Sequence, residues 1–302
     1  MAGINAQMVL VDTRDNGEQH ILLPSVEFNH CIVKMELDNR KYYIELTDNY
    51  LPFASLPYNL NGAVILEIPS KNMVEQPVLQ LLKGENRTKD ISRCIIDIIP
   101  SGSDLNVSVK TIKYGNLSSG TRGKYLNLDN DKQLKEMEKT VAAAYKTNVK
   151  VDKVSFKDLD NLEDSVVYTY SYKVKDEISE IGSLKTFRIA YPDIVASLDN
   201  FSADTRLYPI EYWRYEDTDM YETIVNISAP AGTKFTELPA SENLSFKDMK
   251  FSIQYLLKTP GKLTIIRKFT NLRQNIPATD YTAFRSFFES IVKAEQRFIA
   301  YK

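Results

Sequence analysis

Apolar and polar residues alternate in eleven segments of this 302-residue chain, and this period of two constrains its fold more than any other feature. Successive side chains of a strand point to opposite faces, so the alternation is typical of half-buried β-strands. The 18 tyrosines favour the same structure, because aromatic side chains pack well on a pleated surface. The segments with this pattern are residues 7–13, 28–37, 41–47, 63–68, 91–99, 105–114, 149–156, 165–174, 220–228, 249–258 and 262–271.

Two segments have helical spacing instead. Apolar residues recur three or four positions apart near 131–147 and again near 279–297, where Pro277 gives a common helix-start signal. Two helices among about a dozen strands predict a mostly β protein of the α+β type.

The bulk composition excludes several classes of function. With 38 basic and 40 acidic residues the net charge is -2, and no basic stripe points to a nucleic-acid partner. No apolar run approaches the roughly 20 residues of a transmembrane helix. The two histidines are too few for a His-rich metal site, and no cofactor is predicted. The first residues have no signal-peptide pattern and begin a strand at once, which is typical of a piece of a longer polypeptide.

The two cysteines, Cys31 and Cys94, are too few for a disulfide framework. Cys94 lies among isoleucines, which favours burial. We expect two buried free thiols, and a single bridge between them is the alternative that the sequence leaves open.

The segments 28–37 and 41–47 predict a hairpin that places His30 and Glu45 on neighbouring strands. A carboxylate beside an imidazole fixes its tautomer and supports its charged form, which is the orienting half of a Cys-His-acid centre. The alternatives are a structural histidine and a solvent-facing Glu45. Cys31 adjoins His30 in the same strand, so it should point to the other face and not react with it.

The sequence around these residues resembles the transglutaminase-like family, and specifically bacterial envelope proteins in which such a core precedes β-rich domains of unknown function. Phe28-Asn29-His30 is similar to the family's histidine strand. Tyr43-Ile44-Glu45-Leu46-Thr47 lies over its acid strand, where the family has Asp in place of Glu45. The segments that follow, Leu51-Pro52-Phe53 and Asn59-Leu60-Asn61-Gly62, are also similar to the family's sequences.

The resemblance implies that His30 is the general base and that Glu45 orients it. The family's nucleophilic cysteine precedes the segment matched here, so the catalytic set is incomplete in this chain. The resemblance also implies an extracytoplasmic location, in the periplasm or at the cell surface.

The resemblance implies three domains. Residues 1–70 form the C-terminal half of a transglutaminase-like core, residues 71–200 a β-rich middle domain with one helix, and residues 201–302 a β-sandwich-like domain with a terminal helix. Half a core should expose an apolar face. We expect the second domain or a homodimer to cover it.

Two further motifs could carry a function. Trp213, with its neighbours Tyr212 and Tyr215, is a candidate binding surface for a protein or glycan, since Tyr and Trp are enriched in binding hot spots. Packing inside a sheet is the competing interpretation. The Gly-rich stretch 115–123 lacks a P-loop ending and predicts a flexible loop.

The sequence therefore supports three hypotheses of function. The first is a non-catalytic, envelope-associated binding or assembly module. The second is a fragment of an active cysteine-dependent transglutaminase or peptidase whose nucleophile lies upstream of residue 1. The third is a carbohydrate- or protein-binding β-sandwich.

Overall fold

The computed structural model describes residues 5–16, 28–69, 76–145, 149–163, 165–216, 218–271 and 275–302. Within these residues the fold is mostly β, as the alternation predicts, and it contains three α-helices. The strands are β1 (Ala6–Asp12), β2 (His30–Leu37), β3 (Arg40–Ile44), β4 (Val64–Glu67), β5 (Leu79–Leu81), β6 (Ile91–Ser101), β7 (Asp104–Lys113), β8 (Lys150–Lys157), β9 (Val166–Val174), β10 (Ser179–Ile181), β11 (Leu184–Phe187), β12 (Met220–Ser228), β13 (Glu242–Phe246), β14 (Met249–Thr259), β15 (Lys262–Thr270) and β16 (Ile299–Tyr301). The helices are α1 (Asn116–Tyr125), α2 (Asn130–Tyr145) and α3 (Tyr281–Glu295). Helices α2 and α3 confirm the two predicted from spacing.

The first five strands form a small antiparallel sheet in the order β3-β2-β1-β4-β5. The predicted hairpin is present as β2 and β3. Its turn residues, Asp38 and Asn39, have φ of 51° and 59°. Asp and Asn tolerate this left-handed region better than most residues, so the turn chemistry fits a tight hairpin.

One face of the small sheet is a closed core. Val9, Val11, Ile32 and Ile65 point to this face and are buried, and the segment 51–63 supplies further apolar side chains over it. The side chains that complete this core are Leu56, Leu60, Ala63 and Leu82.

The opposite face of the small sheet, which we call the open face, is also apolar. Register places its members side by side, as with Met8 and Val33 or Leu10 and Leu66. Met8 is 55% exposed, and Leu37 and Leu81 are exposed as well. The apolar side chains that register places on the open face include Met8, Leu10, Cys31, Val33, Met35, Leu37, Leu66, Leu79 and Leu81. The predicted cover by a second domain is not formed by any described helix or strand, because the elements that contact these strands extensively belong to the same sheet.

Eight strands form the larger sheet, in the order β13-β14-β15-β12-β6-β7-β9-β8. Strands β6 and β12 run parallel, and the other neighbours are antiparallel. This sheet and its core continue across residue 200, where the sequence placed a domain boundary. A third sheet, β10-β11-β16, lies beside it.

The core of the larger sheet lies on the face that carries α2 and α3. In β6, Cys94, Ile96 and Ile98 are buried, while the residues between them are partly or fully exposed. This is the pattern of a sheet with one face in contact with solvent. On α3, Phe284 and Phe288 pack edge-on against Phe201 and Tyr212. The alternation seen in the sequence therefore marks which residues enter this core.

The Gly-rich stretch 115–123 is not the flexible loop that we predicted, because α1 begins at Asn116. Gly115 has φ of 62°, and a Cβ there would lie 2.8 Å from the Lys89 carbonyl oxygen, so a glycine fits best. The helix start is held by the buried Asp90, whose Oδ1 accepts from the Asn116 amide at 2.6 Å. A capping group 26 residues away stabilises a helix whose own sequence disfavours it.

Among the described residues, the helices are too short or too polar to cross a bilayer.

Candidate functional site

His30 is the first residue of β2 and pairs with Val11 of β1. Asn29 fixes the chain just before it: its Oδ1 accepts from the Thr13 amide at 3.0 Å, and its Nδ2 donates to Thr13 Oγ1 at 2.8 Å. The Asn29 amide also donates to the Val11 carbonyl at 3.1 Å. These three bonds fix the backbone from which His30 projects.

Glu45 directly follows β3, and its carboxylate hydrogen bonds His30 Nε2 through Oε2. Val33 pairs with Ile44, so the next residue along falls beside Ile32 and reaches His30 across a diagonal of the sheet. The prediction that the hairpin brings the two side chains together is confirmed. The other carboxylate oxygen accepts from the amide and the hydroxyl of Thr47 at 2.6 and 2.7 Å.

The pair is half-enclosed. The Glu45 side chain is 2% exposed and the His30 side chain 22% exposed, so the imidazole is the part that solvent can reach. Burial raises the pKa of Glu45, but the hydrogen bonds from Thr47 and His30 outweigh it, and the net pKa is lowered. The carboxylate is therefore ionised near neutral pH and is not the solvent-facing group of the alternative interpretation.

An ionised acceptor at Nε2 assigns the proton of a neutral imidazole to that nitrogen. Nδ1 is then the nitrogen that can accept a proton, and no described residue hydrogen bonds it. This geometry can orient a general base. It supplies two of the three parts of a Cys-His-acid centre and would need a thiol beside Nδ1.

The cysteines lie elsewhere, and both are free. Cys94 is buried, as predicted, and burial raises the pKa of its thiol to about 12. Cys31 is exposed, which corrects our expectation of burial: it lies on the open face, opposite to His30. Neither thiol lies beside the imidazole in a reactive form.

Asp48, the other acid near the histidine strand, does not join the pair. Its Oδ2 accepts from Ser119 Oγ of α1 at 2.5 Å, and its Oδ1 accepts from the Tyr50 amide at 2.8 Å. Asp48 therefore links the end of the hairpin to α1.

Tyr212 and Tyr215 do not form a shared exposed surface. Tyr212 is buried against Phe284 and Phe288, which corrects its assignment as a binding residue. Tyr215 is exposed at one edge and packs against Phe201 with ring centroids 5.3 Å apart. The side chain of Trp213 lies outside the described part of the structure, and its backbone is in the 3-10 turn Tyr212–Arg214.

Two polar clusters were missed by the sequence analysis. On the His30 face of the small sheet, Glu67 binds Lys34 Nζ at 2.6 Å and Tyr43 Oη at 2.8 Å. In the larger sheet, the Asp193 carboxylate binds Lys113 Nζ at 2.8 Å and Ser92 Oγ at 2.6 Å. Lys34 and Glu67 are 33 positions apart and Ser92 and Asp193 are 101 apart, so only the fold brings these pairs together.

Comparison with known proteins gives one family match. Residues 188–300 match the model of a family described as a domain of unknown function, DUF3858. This segment runs from the end of β11 to β16 and includes α3. No curated protein matches the chain.

Among solved structures, the chain is similar to a "putative protease" from Parabacteroides distasonis, with a TM-score of 0.48 and 10% sequence identity. The alignment covers 99% of this chain and 40% of that one. The chain thus spans about 40% of the length of this solved relative.

Proposed function

We propose that this chain is an envelope-associated binding or assembly module, non-catalytic by itself, whose contact surface is the open face. The observation that carries the proposal is the exposure of apolar side chains across adjacent strands of the small sheet. Contiguous apolar surface of this kind is typical of interaction sites. The envelope location rests on the family resemblance of the sequence.

The partner that fits best is a second copy of the chain. The central residues of the open face, such as Met8, Val33 and Leu66, carry no charge. A two-fold contact places the same patch on both subunits. Two open faces can therefore meet at their centres through uncharged side chains, and the charged Asp12 and Arg40 lie at the edges of this face.

Sedimentation velocity over a wide concentration range tests this proposal. The double variant Met8→Lys/Leu81→Lys places two charges on the open face, and dimer affinity should fall at least about tenfold. The control is Leu207→Lys, which changes a side chain that is 90% exposed and belongs to no strand of the small sheet. A wild-type protein that stays monomeric throughout, or a double variant that dimerises normally, would overturn the proposal.

A second function is favoured by the His30–Glu45 pair. In this alternative the chain belongs to a cysteine-dependent transglutaminase or peptidase, and an upstream segment brings the nucleophile to His30. The buried, ionised Glu45 supports it, because a fixed carboxylate orients the imidazole at little cost during the reaction.

The reading frame upstream of residue 1 separates the two functions. The enzyme alternative requires an in-frame helix that carries a cysteine. A protein made with that segment should form a thioester with an acyl probe, and His30→Gln should abolish it. Thioester formation by the present chain alone would contradict the non-catalytic proposal.

A further inference from the structure

A cavity of about 460 Å³ lies between α1, α2 and the larger sheet. Its walls come from α1, from Met137 and Thr140 of α2, and from Tyr168 and Tyr170 of β9, with Asp193 closing one end. The volume is within the range of roughly 300–1,000 Å³ that is typical of small-molecule sites. His30 and Glu45 do not line it.

Helix α1 forms one wall of this cavity and contains two interior glycines. Gly120 and Gly123 are both inside α1, where glycine costs about 1 kcal/mol relative to alanine. A Cβ on Gly123 would lie 3.8 Å from the ring of Tyr50, so close packing accounts for that glycine. A Cβ on Gly120 would meet no atom within 4 Å. Gly120 is exposed and lines the cavity, so a larger side chain at this position would project into open space there.

The walls combine aromatic rings with hydrogen-bonding groups. Tyr168 and Tyr170 stack with ring centroids 6.1 Å apart, and Tyr125 adds a third ring. Thr111 and Thr140 add aliphatic hydroxyls. An apolar ring surface beside several hydroxyls suits a ligand that has both C–H and O–H groups.

The charges on the walls are already compensated. Asp193 is bound by Lys113 and Ser92, and Asp48 by Ser119 and the Tyr50 amide. Each carboxylate has about four acceptor positions, so both can still accept from a ligand hydroxyl. The cavity wall also carries one cation, Lys124, whose Nζ donates to Thr140 Oγ1 at 3.2 Å. Two carboxylates, one of them bound by Lys113, are thus balanced by a nearby lysine, so the wall favours neither an anion nor a cation. A neutral ligand rich in hydroxyl groups remains.

We propose that the cavity between α1, α2 and β9 binds a neutral pyranose saccharide, with its C–H surface toward the wall formed by Tyr125, Tyr168 and Tyr170 and its hydroxyls donating to the Asp48 and Asp193 carboxylates. This site is separate from the open face and from His30. It does not depend on the proposed assembly function.

Saturation-transfer NMR and calorimetry with neutral mono- and disaccharides test the site, using glucose, galactose, mannose, N-acetylglucosamine, maltose and cellobiose. Gly120→Leu fills the cavity from α1 and should weaken binding at least about tenfold. Gly120→Ala is the matched control: it adds one methyl group, should change affinity less than about threefold, and should hold or raise the melting temperature.

A second blocking variant guards against a folding defect in the first. Thr140→Phe enters from α2, where Thr140 is exposed, and should weaken the same saccharide while the melting temperature stays close to that of the wild type. Choline and inorganic phosphate are the charged comparison ligands. The proposal is overturned if no saccharide binds, if a charged probe binds in their place, or if both blocking variants bind as the wild type does.

Discussion

The small sheet and the eight-stranded sheet differ in how their apolar faces are covered. Both are built from strands with alternating apolar residues, but α2, α3 and the surrounding loops cover the larger sheet, whereas the small sheet covers only one of its two apolar faces. The comparison teaches that alternation predicts strands well and says little about what covers them. A sheet with two apolar faces needs two covers, and here the described chain supplies one.

The two sheets also hold their charges differently. In the larger sheet, Arg267 is 1% exposed and binds Glu295 at 2.7 Å, the Asp193 carbonyl oxygen at 3.1 Å and Thr223 Oγ1 at 3.0 Å, and its guanidinium stacks on Tyr191. In the small sheet, His30 and Glu45 form a pair that reaches solvent at one end. The first arrangement supports a core, and the second leaves one group accessible.

The largest effect should come from Arg267→Met. Burial raises the pKa of Glu295, and Arg267 opposes this, so the variant leaves a buried acid without its partner. We expect a loss of about 3–5 kcal/mol in the free energy of unfolding, measured with urea at pH 7.

Two variants complete that experiment. Adding Glu295→Gln should recover part of the loss, because the unpaired charge is gone. Lys268→Ala removes a surface ion pair with Glu222 and should cost about 0–1 kcal/mol. Equal losses for Arg267→Met and Lys268→Ala would break the contrast between buried and exposed charges.

Substitutions in the two cores should have an intermediate effect on the free energy of unfolding, and they test whether the two sheets unfold separately. Ile65→Ala in the small sheet and Ile265→Ala in the larger one each remove a fully buried side chain, and each should cost about 2–4 kcal/mol. Hydrogen exchange should show lost protection in β1 and β4 for Ile65→Ala, with β6, β12 and β15 unchanged. If both sheets lost protection together, they would be one cooperative unit.

The smallest effect should come from Glu45→Gln. The pKa of Glu45 is lowered in the folded state, so its contribution is present above the unfolded-state pKa and is lost as pH falls through the folded-state pKa. We expect the variant to lose about 1–3 kcal/mol at pH 7. The difference from wild type should begin to shrink below about pH 4.3.

Urea unfolding between pH 7 and pH 3 checks this expectation. Glu36→Gln, an exposed carboxylate in β2, is the matched control and should show little difference at any pH. A Glu45→Gln difference that stays constant across this range would mean that the carboxylate is not held in its ionised form.

Local sequence patterns predicted the strands and helices better than they predicted how these pack together. The hairpin at Asp38 and Asn39, the two amphipathic helices and the His30–Glu45 contact follow from short-range rules of period and turn chemistry. Helix α1 did not, because its cap, Asp90, lies far away in the sequence. The exposure of Cys31 was missed for a related reason, since it depends on which face of the sheet has a cover.

The candidate site was only half predictable. The resemblance to transglutaminase-like sequences pointed to His30 and Glu45. The hydrogen bonds that Thr47 donates to Glu45 could not be predicted, because they depend on the bend that follows β3. The cavity beside α1 left no motif, because its walls come from two helices, two strands and two loops. Sites assembled from distant segments become visible only with the fold.

The parallel pairing of β6 with β12 bears on how the protein is made. Roughly 120 residues separate Ser101 from Met220, so one edge of β6 must wait for them during translation. At about 5–20 residues per second, the delay is roughly 6–24 s. Until β12 leaves the ribosome, the nascent chain presents an isoleucine-rich strand with unpaired backbone groups, which is the kind of segment that chaperones bind and that aggregates. Yield in a heterologous host should therefore depend on chaperone supply and translation speed between these two strands.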